Sequence, residues 1–250
     1  MKILVSNDDG WFADGLIALA EQMRNIGEVR VVAPDRNCSA ASSALTLTHP
    51  IRVTQQSSDV YSVHGTPADC VLVALNGMMD WVPDLVVSGI NNGPNLGDDV
   101  IYSGTVAAAF EGRQIGKPSI AFSLSGDGAF DYEGAAITAR EVVEHMLANP
   151  LPDNTILNVN IPSCARAEIA GWRATRLGRR TRSQQLIEQR DPRGQTVYWI
   201  GGVGEAEDDA PDTDFHAIHN NYVSLTPLDI DMSHHRQLST IENWLGGRQA

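Results

Sequence analysis

Asp8 and Asp9 stand side by side in Ser6-Asn7-Asp8-Asp9-Gly10, directly after a short apolar run. Adjacent carboxylates repel each other unless a cation sits between them. Carboxylate oxygens suit a hard divalent ion such as Mg2+ or Mn2+. The competing reading is a plain turn, since Asn, Asp and Gly all form turns. One acid and one glycine would already serve that purpose, which favours the cation site.

Two further polar segments bear on the same chemistry. Residues 33–50 offer hydroxyls from Ser39, Ser42 and Ser43, a weak signal on its own. Residues 88–112 are more specific, with Asn91, Asn92 and Asn95 and four glycines before Thr105. Glycines let backbone N–H groups approach an anion, and a helix start adds unpaired donors and positive dipole. Ser103, Gly104 and Thr105 thus read as a phosphate cradle, against the blander alternative of helix capping.

These segments need a scaffold that brings loops together. Strand signals at 2–6, 29–33, 85–87, 119–124 and 156–161 alternate with helix signals. Asp14 is the expected cap of the first helix, and Thr66 with Pro67 opens another. A helix begins at Ser103 or Gly104 and ends at Gly116, and one more spans about 132–147. Extended pieces are expected at 45–53 and 60–63. Such alternation implies an α/β fold, a doubly wound, mostly parallel, Rossmann-like sheet covered on both faces. Ligands of such sheets bind outside the carboxyl ends of the strands.

After Pro162 the texture changes. Residues 173–193 hold seven arginines, and 197–200 reads as a hairpin partner. Residues 205–214 hold six acids, the pattern of an exposed loop. Residues 222–225 read as a strand and 241–245 as a closing helix. The whole 1–250 is expected to be one domain, with residues 162–250 as an appendage.

Composition narrows the partners. The 250 residues carry a net charge of −13, which argues against duplex DNA. Cys38, Cys70 and Cys164 cannot pair fully, as expected of a reducing cytoplasm. The longest apolar run, residues 70–75, falls far short of the ~20 residues that span a bilayer. The first ten residues reach acids too soon for a signal peptide, so none is expected, and no Walker A loop, G-x-S-x-G elbow or H-E-x-x-H pair is seen.

Taken together, the motifs resemble those of the SurE family, stationary-phase survival proteins that act as metal-dependent nucleotidases. The matching stretches are SNDDG at 6–10, VVAPDRN at 31–37, Ser39, GTPADC at 65–70 and PDLVVSGIN at 83–91. They continue with GPNLGDDVIYSGTVAAAFEGR at 93–113, DPRG at 191–194, YWIG at 198–201, TDF at 213–215 and YVSLTPL at 222–228.

The resemblance implies one divalent cation per subunit, Mg2+ or Mn2+, held by Asp8, Asp9, Ser39 and Asn91. Asn92 falls where the family pattern varies. Asn95, Ser103, Gly104 and Thr105 match phosphate-contacting positions. The implied activity is hydrolysis of nucleoside 5′-monophosphates, with 3′-monophosphates as further candidates; Asp8 or Asp9 is expected to activate water, and the arginine-rich stretch adds short polyphosphate as a candidate substrate. A homodimer or homotetramer joined through the C-terminal part is also implied.

Rival readings are an aspartyl-nucleophile phosphatase and a phospho-receiver or metal-bound signalling module without turnover. The first wants Asp-x-Asp, and here the acids are adjacent. The receiver wants Lys-Pro after its strand, and here Lys117-Pro118 precedes one. His64 is read as structural, Asp98 and Asp99 as loop caps, and the arginine-rich stretch as a solvated hairpin or an ion-pair surface between subunits.

Overall fold

The computed structural model describes residues 1–126 and 131–246. The last four residues of the expected appendage, 247–250, lie outside the described residues. The elements follow in the order β1 (Lys2–Ser6), α1 (Asp14–Arg24), β2 (Glu28–Pro34), β3 (Val53–Gln55), β4 (Val60–Val63) and α2 (Pro67–Val73). Then come β5 (Leu85–Asn92), α3 (Gly104–Gly112), β6 (Ser119–Ser125), α4 (Tyr132–Ala148) and β7 (Ile156–Pro162). The chain ends with β8 (Gly171–Ala174), β9 (Ile187–Arg190), β10 (Thr196–Trp199), α5 (Asp214–His219), β11 (Tyr222–Leu228) and α6 (Leu238–Leu245).

The main sheet has nine strands in the order β3-β4-β2-β1-β5-β6-β7-β11-β8. Strands β4, β2, β1, β5, β6 and β7 run parallel, and β3 and β11 pair antiparallel to their neighbours β4 and β7. The α/β doubly wound expectation is therefore met. From β1 the chain first builds outward through β2, then returns to its other side at β5. The carboxyl ends of β1 and β5 thus flank the point where the winding reverses, where such sheets open a crevice.

Alternation along the strands sends side chains to two layers. Ile3 and Val5 of β1 face Leu16, Leu19 and Met23 of α1 and Val143 of α4, whereas Leu4 faces Cys70 and Val71 of α2 and Ala108 of α3. Full burial of each large side chain, such as Phe122, contributes roughly 1.5–3 kcal/mol. Helix α3 is lined with alanine, and a Cβ on Gly112 would meet Val86 Cβ at 2.7 Å. Small residues let this helix lie close to β5, which brings its N-terminus to the strand ends.

Several local expectations change. Ala13, not Asp14, occupies the N-cap of α1, and Asp14 lies in the first turn, where its charge still suits the helix dipole. The expected extended piece at 45–53 joins the sheet only at Val53, its last residue. Within it Thr46 N donates to Asp69 Oδ1, and just before it Thr66 Oγ1 donates to the Ala44 carbonyl. The strand expected at 85–87 runs on to Asn92, with a register shift between Ser88 and Asn91. After Pro162, β8 and β11 extend the main sheet, while β9 and β10 form a separate hairpin. No helix among the described residues is long and apolar enough to cross a membrane.

Thr66 caps α2 as expected and forms a capping box with Asp69. The same two residues tie down the 44–46 loop. Thr66→Ala should therefore lower stability by about 1 kcal/mol, or roughly 2–4 °C in Tm by calorimetry. An unchanged Tm would remove the cap from the stability of this region.

Candidate functional site

The turn after β1 is closed by Asn7. Its Nδ2 donates to the Gly10 carbonyl at 3.0 Å, and its Oδ1 accepts from Gly10 N at 3.2 Å. Neither bond involves Asp8 or Asp9, so the turn does not account for the two carboxylates.

Three other segments meet this turn. From the loop after β2, Cys38 N donates to the Asp8 carbonyl at 2.7 Å, and Asn37 Nδ2 donates to Asp9 Oδ1 at 3.3 Å. From the end of β5, Asn92 N donates to Asp9 Oδ2 at 3.2 Å. From the start of α3, Thr105 Oγ1 donates to Asp8 Oδ1 at 2.5 Å. A Cβ on Gly104 would stand 2.7 Å from Asp8 Cβ, so only glycine admits the helix this close to the carboxylate.

The remaining ligand candidates keep oxygen available. Ser39 gives its hydroxyl proton to Asn37 Oδ1 at 2.6 Å, which leaves its lone pairs. Asn91 gives its amide nitrogen to the Gly93 carbonyl at 2.9 Å, and its Oδ1 accepts no hydrogen bond among the described residues. No cluster of three or more His, Cys, Asp or Glu among the described residues could hold a metal ion. A cation at Asp8 and Asp9 would therefore draw its further ligands from neutral oxygens such as Ser39 and Asn91. An all-oxygen donor set with two carboxylates fits a hard divalent ion.

The electrostatics agree. Asp8 is 4% exposed, and burial pushes its carboxyl up from the ordinary 3.8 to about 6. The Thr105 hydroxyl works against this rise, and the Asp9 charge adds to it. Burial also raises Asp9, opposed by the Asn92 N–H and the Asn37 amide. Two carboxylates at this turn thus carry a penalty that a bound cation would remove.

Of the expected phosphate cradle, Gly104 and Thr105 lie against Asp8, and its donors are partly committed. Ser103 Oγ accepts from Val106 N at 3.1 Å as the cap of α3, which leaves its hydroxyl proton for another acceptor. The Thr105 hydroxyl is spent on Asp8. Asn95 is buried, and one amide hydrogen goes to Ser123 Oγ at 2.7 Å. Asn158 and Asn160 fix its backbone: Asn95 N donates to Asn160 Oδ1, and its carbonyl accepts from both amides.

Asn37 did not stand out in the sequence. It bridges Asp9 and Ser39, and its Oδ1 also accepts from Ser39 N at 2.8 Å, an Asx turn. An Asn two residues before a candidate serine ligand was the available signal.

Other polar groups, among them the lesser candidates His64, Asp98 and Asp99, have partners of their own. The half-exposed His64 pairs through Nδ1 with Asp35 Oδ2 at 2.7 Å. His216 and His219 lie near Asp209, and His235 pairs with Asp231. Asp98 accepts from Arg180 N and Asp99 pairs with Arg180 Nε, so both are engaged away from the carboxylate turn. Arg176 pairs with Asp208 and Asp212, so part of the arginine-rich stretch is neutralised within the chain.

Comparison with known proteins converges on one group. Residues 3–184 match the family described as Survival protein SurE. A 5′-nucleotidase SurE of Vibrio cholerae serotype O1 is 54% identical, over 98% of this chain and 98% of its own. One from Xanthomonas axonopodis pv. citri is 52% identical, over 100% of this chain and 98% of its own. The crystal structure of the SurE protein from Aquifex aeolicus superposes with a TM-score of 0.87 at 41% identity, covering 98% of this chain and 99% of that one.

The raised Asp8 carboxyl has a thermodynamic sign. Its proton is held more tightly in the folded state, so metal-free protein gains stability as pH falls from about 6 towards 3.8 and loses it as pH rises through 6. The gap corresponds to about 3 kcal/mol. In chelator-treated protein at pH 7.5, Asp8→Asn should raise Tm by roughly 5 °C and flatten its rise towards pH 5. A lower Tm at pH 7.5 would contradict the burial penalty.

Proposed function

The chain belongs to the SurE family of survival proteins, and on that premise we propose that it hydrolyses nucleoside 5′-monophosphates to nucleoside and phosphate with one divalent cation per subunit. The observation that carries this reading is the meeting of the Asp8-Asp9 turn with the Asn37–Ser39 loop, the end of β5 and the start of α3. It supplies carboxylates and neutral oxygens on one side and anion donors on the other.

A divalent cation, Mg2+ or Mn2+, held by Asp8, Asp9, Ser39 and Asn91 would polarise a phosphoryl oxygen and offset charge in the transition state. The chain supplies the rest. The Ser103 hydroxyl, the N–H groups at the start of α3 and the second amide hydrogen of Asn95 are the donors for phosphate oxygens. Asp9, less buried than Asp8, is the better placed of the two to take a proton from the attacking water. Asp8, held by Thr105, chiefly orients and balances charge.

Nucleoside 3′-monophosphates and short polyphosphate remain secondary substrates of the proposal. Three unpaired thiols accord with a cytoplasmic setting. A homodimer or homotetramer is favoured by exposed apolar side chains of the C-terminal part: Trp199 is 61% and Ile200 87% exposed beside Tyr198, and Leu186, Ile241 and Trp244 are exposed elsewhere in it.

A panel of nucleoside monophosphates, assayed for phosphate release with Mg2+ or Mn2+ and with chelator, tests the reaction. Wild-type protein should turn over 5′-monophosphates only when a divalent ion is present. Asp9→Asn should lose at least 100-fold in kcat, an estimate on the order of a lost general base, while keeping its circular dichroism spectrum. Turnover in excess chelator, or normal turnover by Asp9→Asn, would overturn the proposal.

A further inference from the structure

The acidic run at 205–214 was expected to be an exposed loop, and its last member is the opposite. Asp214 is 0% exposed. Its Oδ1 accepts from Gly178 N at 2.9 Å and from Phe215 N at 3.0 Å, while its Oδ2 accepts from Gly97 N at 2.7 Å. The Phe215 ring seats the same glycine, whose φ is +53°; a Cβ there would stand 2.7 Å from the ring. Arg180, whose guanidinium lies 4.8 Å from the centroid of Phe215, takes the next two residues. Its backbone N donates to Asp98 Oδ2 at 2.9 Å and its Nε to Asp99 Oδ2 at 2.6 Å.

Gly97, Asp98 and Asp99 lie in the 3₁₀ turn Gly97–Tyr102, which joins Asn95 to the Ser103–Gly104 helix start. That turn makes up most of the link between the two halves of the proposed phosphate cradle. Asn95 is fixed from β6 and β7 through Ser123, Asn158 and Asn160. The turn beyond it is fixed from the opposite end of the sequence.

We propose that Asp214, seconded by Arg180, is a positioning residue for phosphate binding: it sets the 97–102 turn so that Asn95 and the start of α3 address one anion. This rests on the phosphate role proposed above for those residues. A buried carboxylate accepting three backbone N–H groups is rigid, because each lost bond would leave a buried charge under-solvated. Asp9, Ser39 and Asn91 receive no bond from this clasp, so cation binding should be independent of it.

Asp214→Asn is the selective test. An amide oxygen in place of Oδ1 keeps Gly178 and Phe215, and the amide nitrogen then faces Gly97 N–H and releases that one bond. The measurements are inhibition by inorganic phosphate, KM and kcat for a nucleoside 5′-monophosphate, Mn2+ affinity by calorimetry, and Tm. The expected result is a rise of roughly five- to tenfold in the phosphate inhibition constant and in KM, with kcat and Mn2+ affinity within about twofold of wild type.

Unchanged phosphate inhibition would overturn the proposal. So would a joint loss of Mn2+ and phosphate affinity that follows a fall in Tm, because that is what a merely structural residue gives. If Asp214→Asn does not fold, Arg180→Gln is judged by the same criteria. Arg176→Gln, which breaks the pairs with Asp208 and Asp212 and a bond to the Leu177 carbonyl but none to the 97–102 turn, is the control and should keep wild-type kinetics. Wild-type protein that neither turns over nucleotides nor responds to phosphate would instead count against the proposed function, which separates the two failures.

Discussion

Like charges at the end of a buried strand are the constraint from which the rest follows. Desolvation of the buried Asp8 carboxylate is the largest cost, and the neighbouring Asp9 charge adds to it. A chain selected for stability alone would have little use for Asp8 beside Asp9, because Asn7 already closes the turn with Gly10. The surroundings blunt the repulsion without cancelling it. Thr105 supports one oxygen of Asp8, and Asn37 and Asn92 support the two of Asp9. No cationic side chain is bonded to either carboxylate in the described residues, so the balancing charge is left to come from outside the chain.

The fold meets this constraint through placement. Reversal of the winding between β1 and β5 brings two strand ends to one crevice, and alanines and Gly112 let α3 settle against β5 until its first turn faces Asp8. Under the crevice, Ser123, Asn158 and Asn160 form a buried polar floor that grips Asn95. From the far end of the chain, Asp214, Phe215 and Arg180 grip the turn that follows. Both grips act on the backbone, which suits a site whose ligands must be held within a fraction of an ångström.

Much of this was legible in the residues. Alternating strand and helix signals led to the parallel sheet, and strand ends rich in Asn, Asp and Gly marked its working edge. The helix starts at Thr66 and Ser103 followed from capping chemistry. What was not legible had physical causes. Asp14 looks like a cap, but Ala13 already has the extended backbone from which the helix departs. Residues 45–52 look extended, yet Thr46 N is taken by Asp69 and the piece enters the sheet only at Val53. Asp214 sits in an acidic run that reads as solvated, and nothing local announces that Gly97 and Gly178 will bring their N–H groups to it. Asn37 was hidden in the same way, since its value lies in bridging Asp9 and Ser39. Long-range hydrogen bonds to backbone donors leave no periodic trace in a sequence.

The central claim is that oxygens of Asp8, Asp9, Ser39 and Asn91 form one seat for a hard divalent cation. Anomalous diffraction at the manganese edge, from crystals grown with Mn2+, addresses it most directly. The account expects one strong peak per subunit at the carboxyl ends of β1 and β5, within about 2.0–2.6 Å of those four side-chain oxygens. A peak elsewhere on the chain with this turn vacant, or no peak at saturating Mn2+, would contradict it.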